Sequence, residues 1–236
     1  MSLRTGGVSA SPFDSLNIGR SVGDAPEAVA ENRARFVAAL GAEPVWMKLV
    51  HGVNVLHLQA GGPLHPEEPA DAAWTQSPRV ACTVTAADCL PVFFALHDGS
   101  AVGAAHAGWR GLAAGVLEAT LHAMCKGTGA APADLQVWLG PCIGPRQFEV
   151  GAEVLQAFGA DDPSSPAAKH FLARQRLDGS PGWLADLRGL AQARLQVAGV
   201  TRFSISTACT VEEPSRFFSY RRDRRTGRHA AAIWRE

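Results

Sequence analysis

The chain has 236 residues, 47% of them hydrophobic and 19% charged, with 22 Lys and Arg against 22 Asp and Glu. That length and composition describe a globular chain able to bury a full core without disulfide or metal staples. Balanced charge argues against a nucleic-acid partner, no run reaches the ~20 apolar residues of a membrane span, and the start MSLRTGGVSASPFDSL lacks the apolar core of a signal peptide. A cytoplasmic protein with five free thiols is therefore expected, since the cysteines are odd in number and form no C-x-x-C pair.

Residues 1–12 read as a flexible start. Asp24-Ala-Pro-Glu27 then reads as a capping box opening a helix whose apolar positions Val29, Phe36, Val37 and Leu40 recur at helical spacing before Gly41 stops it. Strands are expected at Pro44–Val50 and Val53–Leu58, broken by His51-Gly52, followed by a Gly/Pro/acid-rich surface loop over 60–73. Val80–Thr85 and Pro91–His97 read as strands. Asp98-Gly99 is a hairpin signal returning the chain through Ala101–His106. Gly108-Trp-Arg-Gly111 opens a helix with Leu112, Val116, Leu117, Leu121 and Met124 on one side. Further on come a strand at Leu135–Leu139, a helix at about 151–158, a polar loop over 159–180, a helix at about 184–198, and strands at 202–208 and 228–234. Strands and helices alternate with no linker, so the expectation is one α+β domain spanning 1–236, a layered arrangement with mixed sheets.

Three potential metal ligands sit where strands end: His51 after PVWMKLV, Cys89 within Ala87-Asp88-Cys89-Leu90-Pro91, and His106 closing AVGAA. Strand ends facing helix starts are where open α/β sheets place their sites. Together the three would leave a fourth zinc position open, the pattern of a catalytic metal. Their separations match no local metal motif, however, and three unrelated residues remain the simpler reading of the spacing. Eight histidines with no H-x-H pair are too few for the several copper sites of a blue multicopper oxidase.

At these residues the chain resembles a known family. Val50-His51-Gly52, Ala87-Asp88-Cys89-Leu90-Pro91 and His106-Ala-Gly-Trp-Arg-Gly111 are similar to the three signature blocks of the YfiH-type laccase-domain family, also called polyphenol oxidase, peptidoglycan editing factor and purine nucleoside phosphorylase. Asn17-Ile-Gly19, Gly23-Asp24, Asn32-Arg33, Trp138-Leu-Gly-Pro141, Phe148-Glu-Val150, Phe217-Phe-Ser-Tyr-Arg-Arg222 and Thr226-Gly-Arg228 follow in the right order. The resemblance implies one zinc held by His51, Cys89 and His106, with copper a possible replacement. It also implies phosphorolysis of adenosine, inosine and S-methyl-5'-thioadenosine, with adenosine deamination as a second activity. The resemblance implies Gln where this chain has Leu49, so any hydrogen bond that Gln makes in the family is not expected here.

Phosphorolysis needs an anion pocket, for which Arg110 at a helix start, Arg33 and Arg221 are the candidates. The zinc-deaminase signature is absent, because Pro141-Cys142 lacks its second Cys. Cys82 and Cys209 read as small core residues and Cys125 and Cys142 as unpartnered, while the histidines outside the site are expected to be exposed or locally satisfied. Six arginines within Arg216–Arg228 read as a solvated or substrate-facing loop. The expected partners are purine nucleosides and phosphate, and the expected state is a monomer or weak dimer. The alternatives are a cysteine hydrolase, with Cys89 as nucleophile, His106 as base and Asp88 or another acid as orienter, and a copper-assisted polyphenol oxidase.

Overall fold

The strands β5 (Leu90–Leu96) and β6 (Val102–Ala107) form the antiparallel hairpin expected around Asp98-Gly99. Both read as nearly unbroken apolar runs because both faces are covered. Leu90, Val92, Phe94 and Leu96 point into one core and Phe93 into another. The hairpin is the centre of a six-stranded sheet with order β11-β7-β5-β6-β3-β2, completed by β2 (Val55–Leu58), β3 (Ala72–Thr75), β7 (Leu135–Leu139) and β11 (Arg202–Ile205). The outer pairs β2–β3 and β7–β11 are parallel and the inner ones antiparallel. One face packs on α3 (Val116–Thr128) and α5 (Leu187–Val197) through Leu117, Leu121, Met124, Leu190 and Leu195. The other packs on a three-stranded sheet of β1 (Glu43–Trp46), β4 (Val80–Ala86) and β12 (His229–Ile233). A small antiparallel sheet of β8 (Glu149–Val150), β10 (Pro181–Ala185) and β9 (Phe171–Gln175) flanks these layers. This is the expected α+β architecture with mixed sheets.

The computed structural model describes residues 1–176 and 178–236. Leu177, part of the loop expected over 159–180, lies outside the described residues; the rest of that stretch carries β9. The Gly/Pro-rich run over 60–73 ends in β3, a fully buried strand too short to show a period. The expected strand at Pro44–Val50 stops at Trp46, and the last long helix starts at Leu187, after Asp186, whose carboxylate accepts the Gly189 N–H at 3.0 Å. The helix expected from 109 is two, α2 (Trp109–Ala114) and α3, divided at Gly115 with φ 101°, a backbone conformation that glycine supplies cheaply.

The capping box at Asp24–Glu27 does not form. Ala25 caps α1 (Pro26–Leu40), and the Asp24 carboxylate accepts from Ser9 Oγ at 2.6 Å, Asn17 Nδ2 at 2.8 Å and the Ala25 N–H at 2.8 Å. Segment 1–12, expected to be flexible, carries hydrogen bonds from Ser2 N to Ala230 O, from Arg4 N to Arg216 O and from Val8 N to Asn32 Oδ1. These bonds tie it to β12, to the C-terminal arginine segment and to α1.

His229 is buried on β12 between the Phe217 and Phe218 rings, and its Nε2 accepts the Phe218 N–H at 2.7 Å. Burial pushes its pKa down to about 3, and protonation of Nε2 would also cost that hydrogen bond. A folded-state pKa below the unfolded value gives stability that is complete above pH ~6.5 and is lost as pH falls from 6.5 towards 3. Between pH 7 and pH 5 this group alone is expected to cost roughly 2 kcal/mol. Urea titrations of wild type and His229→Gln at both pH values check this, the variant showing the smaller difference.

Candidate metal centre

His51, Cys89 and His106 come together. Their ligand atoms lie within 4.8 Å of one another, with Cys89 Sγ 3.8 Å from His51 Nε2 and the two imidazole rings edge-to-face at 4.8 Å. Tetrahedral zinc with ordinary Zn–N and Zn–S bonds holds its ligand atoms roughly 3.4–3.7 Å apart, so the group is close to a metal-holding geometry. His51 is exposed, Cys89 half-buried and His106 buried, which leaves one side open to a substrate. Gly108, at the start of α2, lies against the group: a Cβ there would fall 2.5 Å from His51 Cδ2 and 3.1 Å from Cys89 Sγ.

Each ligand is set by a different device. His106 comes from the central strand β6. Cys89 follows Asp88, which has φ 88° and whose carboxylate accepts from Thr210 Oγ1 at 2.6 Å, Ser219 Oγ at 3.0 Å and Arg221 N at 2.6 Å. Asp88 therefore pins the turn to the C-terminal segment. It does not orient His106, contrary to the role offered for it in a cysteine-hydrolase reading.

The orienting acid is Asp71, which sequence reasoning missed. It is fully buried, and its Oδ1 lies 2.8 Å from His106 Nδ1. The same carboxylate accepts the backbone N–H groups of Val50, His51 and Gly52 at 3.0, 2.9 and 2.8 Å. That grip shapes the loop in which His51 takes φ 60°. One carboxylate thus positions two of the three ligands. Burial alone would raise the Asp71 pKa, but the His106 and backbone hydrogen bonds more than offset it and hold the carboxyl below its ordinary value. Its position at the end of a Gly/Pro/acid-rich run gave no signal of this role.

Burial also opposes charge on Cys89 and His106. The two attract each other strongly enough to prevail: with both histidines near it the thiol is pushed down to about 6, while Cys89 and Asp71 push His106 up to about 9. A thiolate is the form that ligates metal. By contrast, burial pushes Cys142 up to about 12 and Cys82 higher still, as expected of inert core thiols. All five cysteines are free.

Two cavities meet at the group. The larger, about 610 Å³, is lined by Arg20, Arg33, Lys48, Leu49, His65 and Arg228 together with His51, Cys89 and His106. The smaller, about 210 Å³, is mainly apolar and lined by Trp109, Ile143, Phe148, Leu187, Tyr220 and Arg221. Ala87, Cys89 and Tyr220 line both. Of the sequence candidates for an anion site, Arg33 faces the larger cavity. Arg221 borders the smaller but spends its Nη1 on the Gln147 and Glu149 carbonyls. Arg110 is exposed, stacked 4.3 Å over the Trp109 ring, and lines neither cavity. Arg20, Lys48, Arg228 and Tyr220 were not singled out; the Thr226-Gly-Arg228 block was the available signal for Arg228.

The three-layer α+β fold carries one open His–Cys–His group that could hold a metal ion, the single such group among the described residues. The chain belongs to the family described as multi-copper polyphenol oxidoreductase laccase, whose model matches residues 1–236. It is 48% identical to purine nucleoside phosphorylase PA4543 of Pseudomonas aeruginosa, over 98% of this chain and 90% of that protein. Purine nucleoside phosphorylase YfiH of Escherichia coli K12 is 47% identical, over 99% of this chain and 91% of the relative. Among solved structures, Neisseria meningitidis NMB0706 superposes with a TM-score of 0.88 at 43% identity, covering 99% and 92% of the two chains. Bacillus licheniformis YfiH gives 0.91 at 30% identity, covering 99% and 91%. The expected YfiH-type membership is met. No helix among the described residues is long and apolar enough to cross a membrane.

An amide at Asp71 would turn a donor towards N–H donors. Asp71→Asn is expected to weaken metal retention by about 10–100-fold, measured by competition with a chromogenic chelator, while far-ultraviolet circular dichroism stays close to wild type.

Proposed function

We propose that this chain is a purine nucleoside phosphorylase that holds one zinc ion through His51, Cys89 and His106. The observation that carries the reading is the meeting of the two cavities at the ligand group: an apolar slot suits a purine ring, and a cationic chamber suits an anionic co-substrate. The near-half identity to relatives named purine nucleoside phosphorylase supports it along the whole chain.

The donor set fits the metal, being two imidazoles and a thiol held low beside them. When bound, zinc supplies Lewis acidity and lowers the pKa of a coordinated water to about 7. The chain's own residues do the rest. Phe148, Trp109 and Tyr220 confine the base by its faces. Asp71 keeps the His106 ring aimed and the His51 loop closed. A phosphate oxygen bonds to ribose C1′ as the glycosidic C1′–N bond breaks. The base leaves with the bonding pair and takes up the proton that the attacking hydrogen phosphate gives up, and positive charge develops at the sugar as this happens.

Within this reading adenosine, inosine and S-methyl-5'-thioadenosine are substrates, adenosine deamination is a slower second activity, and the enzyme works in the cytoplasm. A second reading, a cysteine hydrolase, is favoured by one observation: Cys89 Sγ lies within 4.8 Å of a His106 ring nitrogen, and each group pushes the other towards its charged form. Copper-assisted phenol oxidation ranks below both, because one three-ligand group supplies no four-electron oxygen chemistry.

Incubation with adenosine and phosphate is expected to release adenine and ribose 1-phosphate, resolved by chromatography. Absence of base release at every phosphate concentration would overturn the reading. The Cys89→Ala, His106→Ala double variant is expected to lose nearly all of the one zinc per chain found by plasma emission analysis, with the fold retained. Iodoacetamide is expected to label Cys89 faster once metal is stripped, whereas a nucleophilic cysteine would be equally reactive with and without zinc.

A further inference from the structure

Four cations border the larger cavity, and no carboxylate lines it among the described residues: Arg20 and Lys48 at the exposed rim, Arg33 and Arg228 half-buried within. None of the four forms an ion pair among the described residues, although other arginines of the chain pair with carboxylates. Clustered like charges in a concave site attract and concentrate an anion.

Arg33 is held rigidly for such a role. Its guanidinium lies 4.0 Å over the Trp46 ring, and its Nε donates to the Ile18 carbonyl at 2.9 Å. Nη1 is buried and has no partner. Burial, helped by the nearby Arg20 charge, pushes its pKa down to about 10. A half-buried guanidinium with no counter-charge is costly in the empty protein, and an anion bound where Arg33 lines the cavity offsets that cost. Arg228 lines the same cavity. Its Nη1 is fixed by the Thr226 and Gly227 carbonyls, and its side chain crosses Gly19, where a Cβ would lie 2.7 Å from Arg228 Cγ. Cys89 lines the same cavity.

We propose that the Arg33–Arg228 pair is the subsite for the phosphate co-substrate, with Arg20 and Lys48 drawing the anion in and Tyr220 and Cys89 separating it from the base slot. This rests on the phosphorylase reading and replaces Arg110 as the phosphate-holding residue. Guanidinium groups supply the N–H donors that bind phosphate oxygens, and the cavity wall these two share includes His51, Cys89 and His106. Phosphate there lies beside the centre at which the sugar is attacked.

The test uses the zinc-loaded enzyme with adenosine and inorganic phosphate. Arg33→Gln and Arg228→Gln are each expected to raise the KM for phosphate by about 10–100-fold, with the KM for adenosine nearly unchanged. Arg33→Lys restores part of the loss, because charge alone does not reproduce the stacked fork. Arg202→Ala, an exposed change on the edge strand β11, keeps the wild-type phosphate KM. Calorimetric titration of inorganic phosphate without nucleoside reads the subsite independently of turnover, with binding expected in wild type and lost in Arg33→Gln. If phosphorolysis persists in both Gln variants with wild-type phosphate KM, the subsite lies elsewhere and the phosphorylase reading stands. If wild type releases no base but binds phosphate and Arg33→Gln does not, the anion subsite stands and the phosphorylase reading falls. Wild-type phosphate binding that is unchanged in both Gln variants overturns the subsite in either case.

Discussion

The buried carboxylate of Asp71 is the interaction on which the site depends. It spends its two oxygens on three consecutive backbone amides and one imidazole nitrogen. A carboxylate with no exposure is stable only when its acceptor capacity is filled by donors, and here those donors are the parts that define the metal centre. The His51 loop has no regular structure of its own, and without the carboxylate its amides would face outwards. The His106 ring would be free to present either nitrogen. Local folding of the loop and the aim of the strand histidine are therefore one event.

That event needs a stiff platform, which the central hairpin supplies. All six residues of β6 are buried, and the sheet is covered by helices on one face and by the β1–β4–β12 sheet on the other. His106 is thus held in a fully buried central strand. Asp71 lies just before β3, the neighbour of β6 in the sheet, and the Asp71 carbonyl accepts the His106 N–H at 2.7 Å. Ladder register and side-chain contact agree, so the carboxylate meets His106 with little freedom to lose on binding.

The arginine-rich C-terminal segment shows how charge is used when it is not displayed. Arg222 donates to the carbonyls of Thr210, Val211 and Phe217, and Arg221 to those of Gln147 and Glu149. These guanidinium groups staple loops and carry the turn that Asp88 fastens to Cys89. What reads in sequence as a solvated or substrate-facing loop is in part internal support, and Arg228 alone of the run both fixes itself on carbonyls and faces the larger cavity. The cations that do converge there stand at four separated positions, Arg20, Arg33, Lys48 and Arg228, so their sum is invisible in a neutral composition.

The sequence by itself determined the strand-dominated core, the hairpin at Asp98-Gly99, the major helices and, through the blocks around His51, Cys89 and His106, the family. These are local signals: side-chain period, turn chemistry and short motifs. Only the tertiary structure decided that β3 is a buried strand inside a run that looks like loop, that Asp24 holds Ser9 and Asn17 in place of a capping box, and that Asp71 rather than Asp88 orients His106. It also decided that Arg110 stacks on Trp109 at the surface while Arg33 faces the cavity. The reason is physical. A carboxylate or guanidinium carries the same chemistry wherever it stands in the chain, and its role is set by which donors, acceptors and charges the sheet order brings within about 3 Å, a distance that has no counterpart along the sequence.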